Sequence, residues 1–517
     1  MDETNFVNAA LGGYPHQSFV ADRLGGVPTM IMPYIGALKS WLFAPIFSVF
    51  GVSVLTVRVP AIALSGGTLV VAYWAFRRVI GQWPSAVLVV VMATSASFAL
   101  MSKVDWSPMV LAMLLKLVAF GCLFNLLMSR RLRWLWALLA TLFLGVFNKQ
   151  DFLWIVIGMA IGAVIVFPRQ LVEIVRARAL AASAPVAFFV MGLAAYGILV
   201  IRPNLGAGGS TQLQDPVTHF VLSWHLYVDT TMYSAVVGFF TGKSPGQNGW
   251  LQLVWIPTLG SVALLIARRF SGPLPSPARW PATAAAFSSV MAVVVFVEIA
   301  ATKQATGPQH VIELWPLQAI IVLAATTALV RSAPDWRRIA VVVGSVALGT
   351  LLAAQAVATS QYVTLMLHAN RLRAVFSVDV YRDARFLNEH IADVDAVVSA
   401  GWGPGTPLFS LACPGDRHKY RDDAWPRLVA TNAGDAPSVV RAVFGNRRIL
   451  LVSVHSPNDL PAALEANVAS LEQWYERVYP ANRVATALTT PAYDVTYFGP
   501  GRLGPATAPC AAAAGGG

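Results

Sequence analysis

Residues 54–78 read VLTVRVPAIALSGGTLVVAYWAFRR, an apolar run that ends in Arg77 and Arg78. A helix of this length can cross the ~30 Å hydrocarbon core of a bilayer at 1.5 Å per residue. The same pattern, in which short arginine loops separate apolar runs, recurs over the first 360 residues. Five such loops carry fourteen arginines: Arg77, Arg78, Arg130, Arg131, Arg133, Arg169, Arg176, Arg178, Arg268, Arg269, Arg279, Arg331, Arg337 and Arg338. By the positive-inside rule these loops are cytoplasmic.

The gaps between the arginine loops have a different, mixed polar composition. They hold Lys103 with Asp105, Lys149 with Asp151, Asp215 with Asp229, and Lys303 with His310. Together with Asp2 and Glu3, these groups are predicted to face the opposite, extracytoplasmic side. A membrane protein that gathers its lysines, acids and a histidine at one rim is expected to have its working site there.

Composition supports this interpretation. Hydrophobic residues make up 56% of the chain, charged residues only 12%, and the mean hydropathy is +0.61, which excludes an ordinary soluble enzyme. The arginine loops contain only two acids, Glu173 and Asp335, so they account for the whole net charge of +12. The positive charge is therefore a topology signal, and no nucleic-acid partner is expected.

Ten apolar runs are long enough to span a membrane. They lie near 54–76, 84–102, 107–128, 132–147, 152–167, 181–201, 249–267, 281–301, 313–330 and 339–359. Ten spans place both chain ends outside, although no signal peptide precedes Asp2. We therefore expect one further span before residue 1, the alternative being an even number of spans with both ends outside.

The predicted fold is a polytopic α-helical membrane protein with a small extracytoplasmic α/β domain at its C-terminal end. Residues 1–53 form the first extracytoplasmic loop, in which the apolar residues 30–50 are predicted to be an interfacial helix. Residues 54–359 form the membrane domain, residues 360–504 the α/β domain, and residues 505–517 a disordered Ala/Gly-rich tail.

Within the α/β domain, four stretches are typical of strands: Ala396–Ala400, Ile449–Val454, Val484–Leu488 and Tyr493–Phe498. Asp383–His390 and Leu460–Tyr475 are predicted to be helices, and Phe220–Tyr233 a surface helix in the loop at 202–248. A Cys413–Cys510 disulfide is compatible with an oxidising compartment, but Cys510 borders the tail, so the pairing stays open.

Four short motifs occur in a fixed order near the start of the chain. They are Asp2-Glu3-Thr4, Gly13-Tyr14-Pro15, an apolar helix ending in Phe50-Gly51, and Val57-Arg58-Val59-Pro60-Ala61. This order resembles the first outer loop of the GT-C glycosyltransferases, most closely the branch of protein O-mannosyltransferases and aminoarabinose–lipid A transferases. The resemblance implies that an acid after the first span is the catalytic base, here Asp2, with Glu3 beside it.

The same resemblance implies further site residues. Asp105, in a short turn between two spans, is similar to the family's second acidic motif, and Lys149 to a lysine near the lipid phosphate. The remaining expected substrate contacts are Lys103, Arg58, Tyr14 and His310. The chain departs from the aminoarabinose transferases at two points. Asn5 stands where those enzymes have an arginine, and residues Gly26-Val27-Pro28-Thr29 stand where they have Lys-Pro-Pro. Arg23, Lys39 and Arg58 are the candidate substitutes for these cations.

The resemblance implies an inverting transferase that takes a sugar from a polyprenyl-phosphate donor and passes it to an acceptor hydroxyl. The acceptor is an envelope glycan, lipid or protein, and the expected location is the bacterial inner (plasma) membrane. No residue cluster has the spacing of a zinc site, a Walker loop or a nucleotide-binding fold. No cofactor is assigned, and a divalent cation stays an open alternative.

Two other functions remain open at the sequence level. A secondary transporter or lipid flippase would show repeated halves and helices broken at mid-membrane, neither of which is clear here. A non-catalytic assembly protein that kept the GT-C fold would explain the missing cationic motifs. Two charged residues, Lys116 and Glu298, fall inside predicted spans and are expected to face a polar interior, where they are candidates to pair with each other.

Overall fold

A computed structural model shows a helical bundle flanked by a small N-terminal module and a C-terminal α/β domain. It describes residues 2–11, 22–32, 34–104, 108–202, 216–231, 274–302, 307–332, 334–367, 379–401, 405–421, 424–454 and 462–507. Several side chains at the ends of these ranges, including those of Asp2, Glu3 and Lys103, are not described.

The N-terminal module contains two helices and a three-stranded antiparallel sheet. Its elements are α1 (Asp2–Ala10), β1 (Asp22–Leu24), β2 (Val27–Met32), β3 (Ile35–Gly36) and α2 (Leu38–Phe50). Gly25 and Gly26 turn the chain between β1 and β2 with φ angles of +58° and +85°, which only glycine adopts readily. The prediction of one helix over 30–50 is therefore wrong at its start, because residues 30–32 belong to β2 and Ile35–Gly36 to β3.

A buried apolar cluster explains this correction. Ile31 and Ile35 of the sheet pack with Phe6 of α1. An extended segment can place such residues against α1 while its backbone pairs within the sheet. The interfacial helix itself, α2, is present from Leu38 onward and packs on α1 through Phe43 and Val7.

The bundle follows. Its first helices are α3 (Val54–Phe76), α4 (Gln82–Ala93), α5 (Ala96–Val104), α6 (Met109–Ser129), α7 (Leu132–Asn148), α8 (Phe152–Val166) and α9 (Pro168–Tyr196). Its remaining described helices are α10 (Pro216–Thr231), α11 (Ser276–Ala301), the short α12 (Pro308–Val311), α13 (Leu317–Ser332) and α14 (Pro334–Leu367). A π-helical turn, Gly197–Ile201, extends α9, and a 3₁₀ turn, Ile312–Leu314, follows α12.

Among the described residues, six helices are long and apolar enough to cross a membrane, or seven if one bent pair counts as a span. The chain is therefore an integral membrane protein. The predicted span 84–102 is divided into α4 and α5, and the chain bends by 94° between α8 and the first turns of α9, where Pro168 begins the new helix. The predicted span 249–267 lies outside the described residues, so the count of ten stays a prediction.

Aromatic rings and small residues fill the centre of the bundle. Phe120, Phe124 and Phe287 are fully buried and meet at ring-centroid distances of 5.5 to 6.1 Å. Helices α8 and α11 approach closely because α8 presents glycine: a Cβ atom added to Gly158 would lie 2.8 Å from Val295 Cγ2. Small residues permit the same close helix contact in other membrane bundles.

The described arginine loops share one end of the bundle. Arg331, at the end of α13, donates to the carbonyl of Ile80 (3.0 Å) after α3 and to that of Pro277 (3.3 Å) at the start of α11. Arg130, between α6 and α7, forms an exposed ion pair of 2.5 Å with Glu173 of α9. These contacts join loops that the sequence assigned to one side of the membrane. Arg268 and Arg269 lie outside the described residues.

The C-terminal domain is a five-stranded sheet with helices around it. Its strands are β4 (Ala396–Ala400), β5 (Tyr420–Arg421), β6 (Ile449–Val454), β7 (Arg483–Thr489) and β8 (Tyr493–Gly499), in the order β5-β4-β6-β8-β7. Its helices are α15 (Asp379–His390), α16 (Gly405–Leu411), α17 (Trp425–Ala430), α18 (Ala436–Val443) and α19 (Ala462–Val478). The four predicted strands are confirmed, and so are the predicted helices over residues 383–390 and 462–475, while residues 460 and 461 lie outside the described residues. The two-residue β5 is too short to be predicted from pattern.

The N-terminal helix and the last described residues both contact this domain. Ser410 Oγ of α16 donates to Asn8 Oδ1 of α1 at 2.7 Å, in a buried position. Thr507 donates through its backbone nitrogen to Glu389 O (2.8 Å). The rest of the predicted disordered tail, residues 508–517, lies outside the described residues. Cys413 is disulfide-bonded and Cys122 is free, while Cys510 lies outside the described residues.

Candidate functional site

A turn after α7 carries the candidate site. Helix α7 ends at Asn148, and Lys149 continues in extended conformation, where it forms a β-bridge with Ile35 of β3. The Gln150 backbone nitrogen donates to Tyr34 O at 3.0 Å. A Cβ atom added to Gly36 would lie 1.7 Å from Phe147 O, so the close approach of β3 requires glycine. The N-terminal module is thereby bonded through its backbone to the end of α7.

Three charged or titratable side chains meet in this turn. Lys149 is fully buried, and its Nζ lies 2.8 Å from Asp151 Oδ2 and donates to Gln309 O at 3.0 Å. The same carboxylate oxygen is hydrogen-bonded to His310 Nδ1. The His310 ring lies between aromatic neighbours, with centroid distances of 6.1 Å to Tyr34 and 6.2 Å to Trp154. We call Lys149, Asp151 and His310 the outer triad.

The charges within the outer triad are compensated. Burial alone raises the pKa of the Asp151 carboxyl, but the Lys149 ammonium and the hydrogen bond from His310 outweigh it and hold that pKa well below its usual range. Asp151 is therefore ionised at neutral pH. The positive charge of Lys149 is matched by an adjacent carboxylate, as burial of an ammonium group requires.

The outer triad lies at the end of the bundle opposite the arginine loops. Lys149 Nζ is 3.7 Å from the sulfur of Met109, the first residue of α6, whereas Arg130 caps the other end of that helix. A 21-residue helix separates these ends by about 30 Å at 1.5 Å per residue. The predicted separation of Lys149 and His310 from the arginines is thus present in the structure.

A second buried charge pair lies deeper in the bundle. Lys116 Nζ, in α6, donates to the backbone carbonyls of Glu313 (2.6 Å) and Trp315 (2.7 Å) and lies 3.7 Å from Glu313 Oε2. Both side chains have no exposed surface. The suggested pairing of Lys116 with Glu298 is therefore wrong, because the turn after α12 supplies a nearer carboxylate.

The structure describes only part of the predicted site. Asp2 and Glu3 begin α1 and Lys103 lies at the end of α5, but their side chains are not described. Tyr14 and Asp105 lie outside the described residues, so the convergence of all predicted residues stays a prediction. The described elements do connect α1 to the outer triad. Ile35 packs with Phe6 of α1 and is also the bridge partner of Lys149.

The candidate replacement cations occupy three different environments. Lys39 is buried in the N-terminal module, with Nζ 4.2 Å from the centre of the Phe6 ring. Arg23 is exposed in β1, and Arg58 is half-buried in the second turn of α3. Of the three, Arg58 directly precedes in the chain a residue, Val59, that lines an apolar groove.

This groove runs between α2 and α3. It has a volume of about 720 Å³, and its walls are almost entirely apolar. Phe43 and Ile46 of α2, Val59 and Ala63 of α3, and Leu114 of α6 line it. Helix α2 also leads from the groove to the outer triad, because its Trp41 ring packs 5.0 Å from Phe147, two residues before Lys149.

Two site residues were not identified from the sequence. Asp151 was noted as a loop acid and residue 313 only as the start of the predicted span 313–330, and neither was assigned to the site. The available signal was electrostatic: a lysine at a span end and a lysine inside a span each need a nearby carboxylate when buried.

Within the described residues, no three His, Cys, Asp or Glu side chains are grouped to hold a metal ion. The divalent-cation alternative stays untested.

Comparisons with known proteins give one informative result. No protein-family model matches the chain, and no curated protein matches it by sequence. The crystal structure of ArnT from Cupriavidus metallidurans bound to undecaprenyl phosphate is similar, with a TM-score of 0.52 and 12% identity over 96% of this chain and 93% of that chain. The apo structure of the same ArnT gives a TM-score of 0.44 and 11% identity over the same shares. This likeness shows that the chain shares the fold of ArnT, which agrees with the fold that its sequence resemblance implied.

Proposed function

We propose that this protein transfers a sugar from a polyprenyl-phosphate donor to an acceptor hydroxyl on the extracytoplasmic face of the membrane. The observation that carries the proposal is the position of the outer triad, at the end of an ArnT-like bundle opposite the arginine loops. Nucleotide sugars are not available on that side, so the sugar must arrive already activated on a lipid carrier.

The groove between α2 and α3 is the proposed site for the polyprenyl tail. Its apolar walls match an isoprenoid chain, since burial of hydrocarbon surface is favourable and requires no directional contact. Arg58, beside the groove, and Lys103, at the end of α5, are the proposed phosphate contacts. The similar ArnT structure was determined with undecaprenyl phosphate bound, which supports this class of donor.

The proposed reaction is a direct displacement. The acceptor hydroxyl oxygen attacks the anomeric carbon while the bond from that carbon to the phosphate oxygen breaks, and the phosphate leaves with the bonding electrons. Asp2 accepts the hydroxyl proton as general base, and nearby cations stabilise the charge that develops on the phosphate. A single displacement inverts the configuration at the anomeric carbon. Asp105 is the alternative base, and Tyr14 and Glu3 are proposed to orient the substrates.

The outer triad refines the role proposed for Lys149. Because Asp151 already compensates its charge, Lys149 is better suited to hold Asp151 and the Gln309 backbone than to bind phosphate alone. Asp151 in turn fixes His310 through Nδ1, which favours the tautomer with Nε2 as hydrogen-bond acceptor. We propose that Nε2 of His310 accepts a hydrogen bond from a hydroxyl of the donor sugar.

Reconstitution tests the proposal. The purified protein in proteoliposomes is supplied with a polyprenyl-phosphate-linked sugar and an envelope-lipid acceptor, and release of polyprenyl phosphate is measured together with transfer of the sugar. Stoichiometric release and transfer support a transferase. Movement of the intact donor between leaflets without cleavage would indicate a flippase instead. Donor binding without either event would indicate an assembly protein.

A further inference from the structure

We propose that Lys116 is a positioning residue that holds His310 in place through the backbone of the segment between α12 and α13. This inference rests on the proposed function for its kinetic consequences, although its structural consequence can be measured independently. Lys116 lies in α6 and does not contact His310, so its effect must be transmitted by the chain between them.

Two buried lysines from different elements donate hydrogen bonds to backbone carbonyl oxygens of this segment. Lys149 donates to Gln309 O, immediately before His310, at 3.0 Å. Lys116 donates to Glu313 O at 2.6 Å and to Trp315 O at 2.7 Å, on the other side of His310. The segment is thus fixed at both ends by charge-assisted hydrogen bonds to its main chain, which are roughly twice as strong as neutral ones.

The environment makes these bonds effective. Lys116 and Lys149 are both fully buried, as is the side chain of Glu313. A carbonyl left without a donor in this apolar setting has no water to replace it, and an unsatisfied buried polar group is costly. Without the ammonium group the segment is expected to rearrange in order to satisfy Glu313 O and Trp315 O. Since His310 is three residues before Glu313, its ring would move with the segment.

A simpler role for Lys116 must be separated from positioning. Its Nζ also lies 3.7 Å from Glu313 Oε2, so it could serve only to neutralise a buried carboxylate. The two roles predict different outcomes for a double variant. Lys116→Met/Glu313→Gln removes both charges and so restores neutrality, but it still lacks the donor to the two carbonyls. Glu313→Gln alone keeps Lys116 and both carbonyl bonds.

The experiment compares wild type, Glu313→Gln, Lys116→Met and the double variant as full-length protein in detergent or nanodiscs. The first readout is the rate at which diethyl pyrocarbonate modifies His310, mapped by mass spectrometry. The second is the kinetics of sugar transfer, and thermal unfolding reports whether each variant folds. Glu298→Gln, a change at another carboxyl group in a spanning helix, is the matched control.

Positioning predicts severalfold faster modification of His310 in the double variant, with Glu313→Gln and the control close to wild type. It also predicts that kcat falls on the order of 10²-fold in the double variant, as for misplaced substrate contacts. KM for a long-chain donor should change little, because α2 and α3 supply most of the groove lining and α6 contributes Leu114, not Lys116.

Two results would overturn the inference. One is a double variant whose His310 modification rate equals that of wild type, which would leave Lys116 as a counter-ion only. The other is equally fast modification in Glu313→Gln, where the carbonyl bonds remain. The histidine readout needs no turnover, so an inactive wild-type protein would contradict the proposed function while the positioning role is still measured.

Discussion

His310 and Asp151 are 159 positions apart in the chain, yet Nδ1 of His310 is hydrogen-bonded to Oδ2 of Asp151. The contact joins the turn after α7 to the segment before α13, and Lys149 completes it. Lys149 and His310 were predicted separately as site residues, and the structure brings them together in one buried arrangement. The carboxylate of Asp151, which was not predicted to belong to the site, joins them.

The first prediction concerns the outer triad itself. Asp151→Asn should destabilise the protein by about 3–5 kcal/mol, because it leaves Lys149 as a buried, uncompensated charge. Lys149→Met/Asp151→Asn should cost less than the single change, since it removes both charges. Chemical or thermal unfolding in detergent measures both. The control is Glu173→Gln, which breaks an exposed ion pair with Arg130 and should change stability by less than about 1 kcal/mol.

The direction of the Asp151 pKa shift determines how its contribution to stability depends on pH. The folded protein lowers the pKa of Asp151, so the stabilisation is present above the unfolded pKa of about 4 and is lost as pH falls through the lowered value. The destabilisation caused by Asp151→Asn should therefore not decrease as pH falls from 8 to 5. A marked decrease over that range would show that Asp151 is not held ionised by Lys149 and His310.

The second prediction concerns membrane topology. Single cysteines introduced at Asp105 and Arg130 should react with a membrane-impermeant reagent from opposite sides of sealed vesicles. The expected asymmetry follows from the arginine bias of the loops. The native Cys122 is buried and should not interfere. Labelling of both positions from the same side would contradict the topology and, with it, the location of the site.

The third prediction concerns the groove. Ala63→Trp should fill the space between α2 and α3 and raise KM for a donor with a long polyprenyl tail, while a donor with a short tail should be little affected. Val70→Trp is the matched control, because Val70 lies on the same helix, is 69% exposed and does not line the groove. Equal effects of the two changes on the long-tail donor would argue against the groove as the tail site.

The fourth prediction concerns the C-terminal domain. Burial, and then the charge of Asp379, raise the pKa of Asp383 in α15 to about 7. A raised carboxyl pKa means that the folded state loses stability as pH rises from about 4 to about 7, at roughly 1.4 kcal/mol for each factor of ten in proton affinity. Asp383→Asn should therefore stabilise this domain at pH 8 and have little effect at pH 4. Hydrogen exchange of β4 and β6 amides in the full-length protein measures the difference.

Most of the fold could be predicted from the sequence, because its determinants are local in the chain. Arginine loops and long apolar runs predict helices and their orientation, and short β-branched runs predicted β4 and β6. Strands β2 and β3 were missed because residues 30–50 form one apolar run, in which periodicity does not distinguish a strand from a helix. Pairings such as Asp151 with His310 and Lys116 with Glu313 depend on how distant segments pack, which a single sequence does not specify.

The central claim is that one carboxylate near the start of the chain, Asp2, accepts the proton of the acceptor. Asp2→Asn preserves size and shape but removes basicity, so folding and donor binding should survive. Initial rates of sugar transfer, measured with saturating donor in proteoliposomes, test it most directly. The account predicts a 10²–10⁴-fold fall for Asp2→Asn, typical of a lost general base, and a smaller effect for Glu3→Gln. Full activity of Asp2→Asn with an inactive Asp105→Asn would assign the base to Asp105, and full activity of both would contradict the proposed glycosyltransferase mechanism.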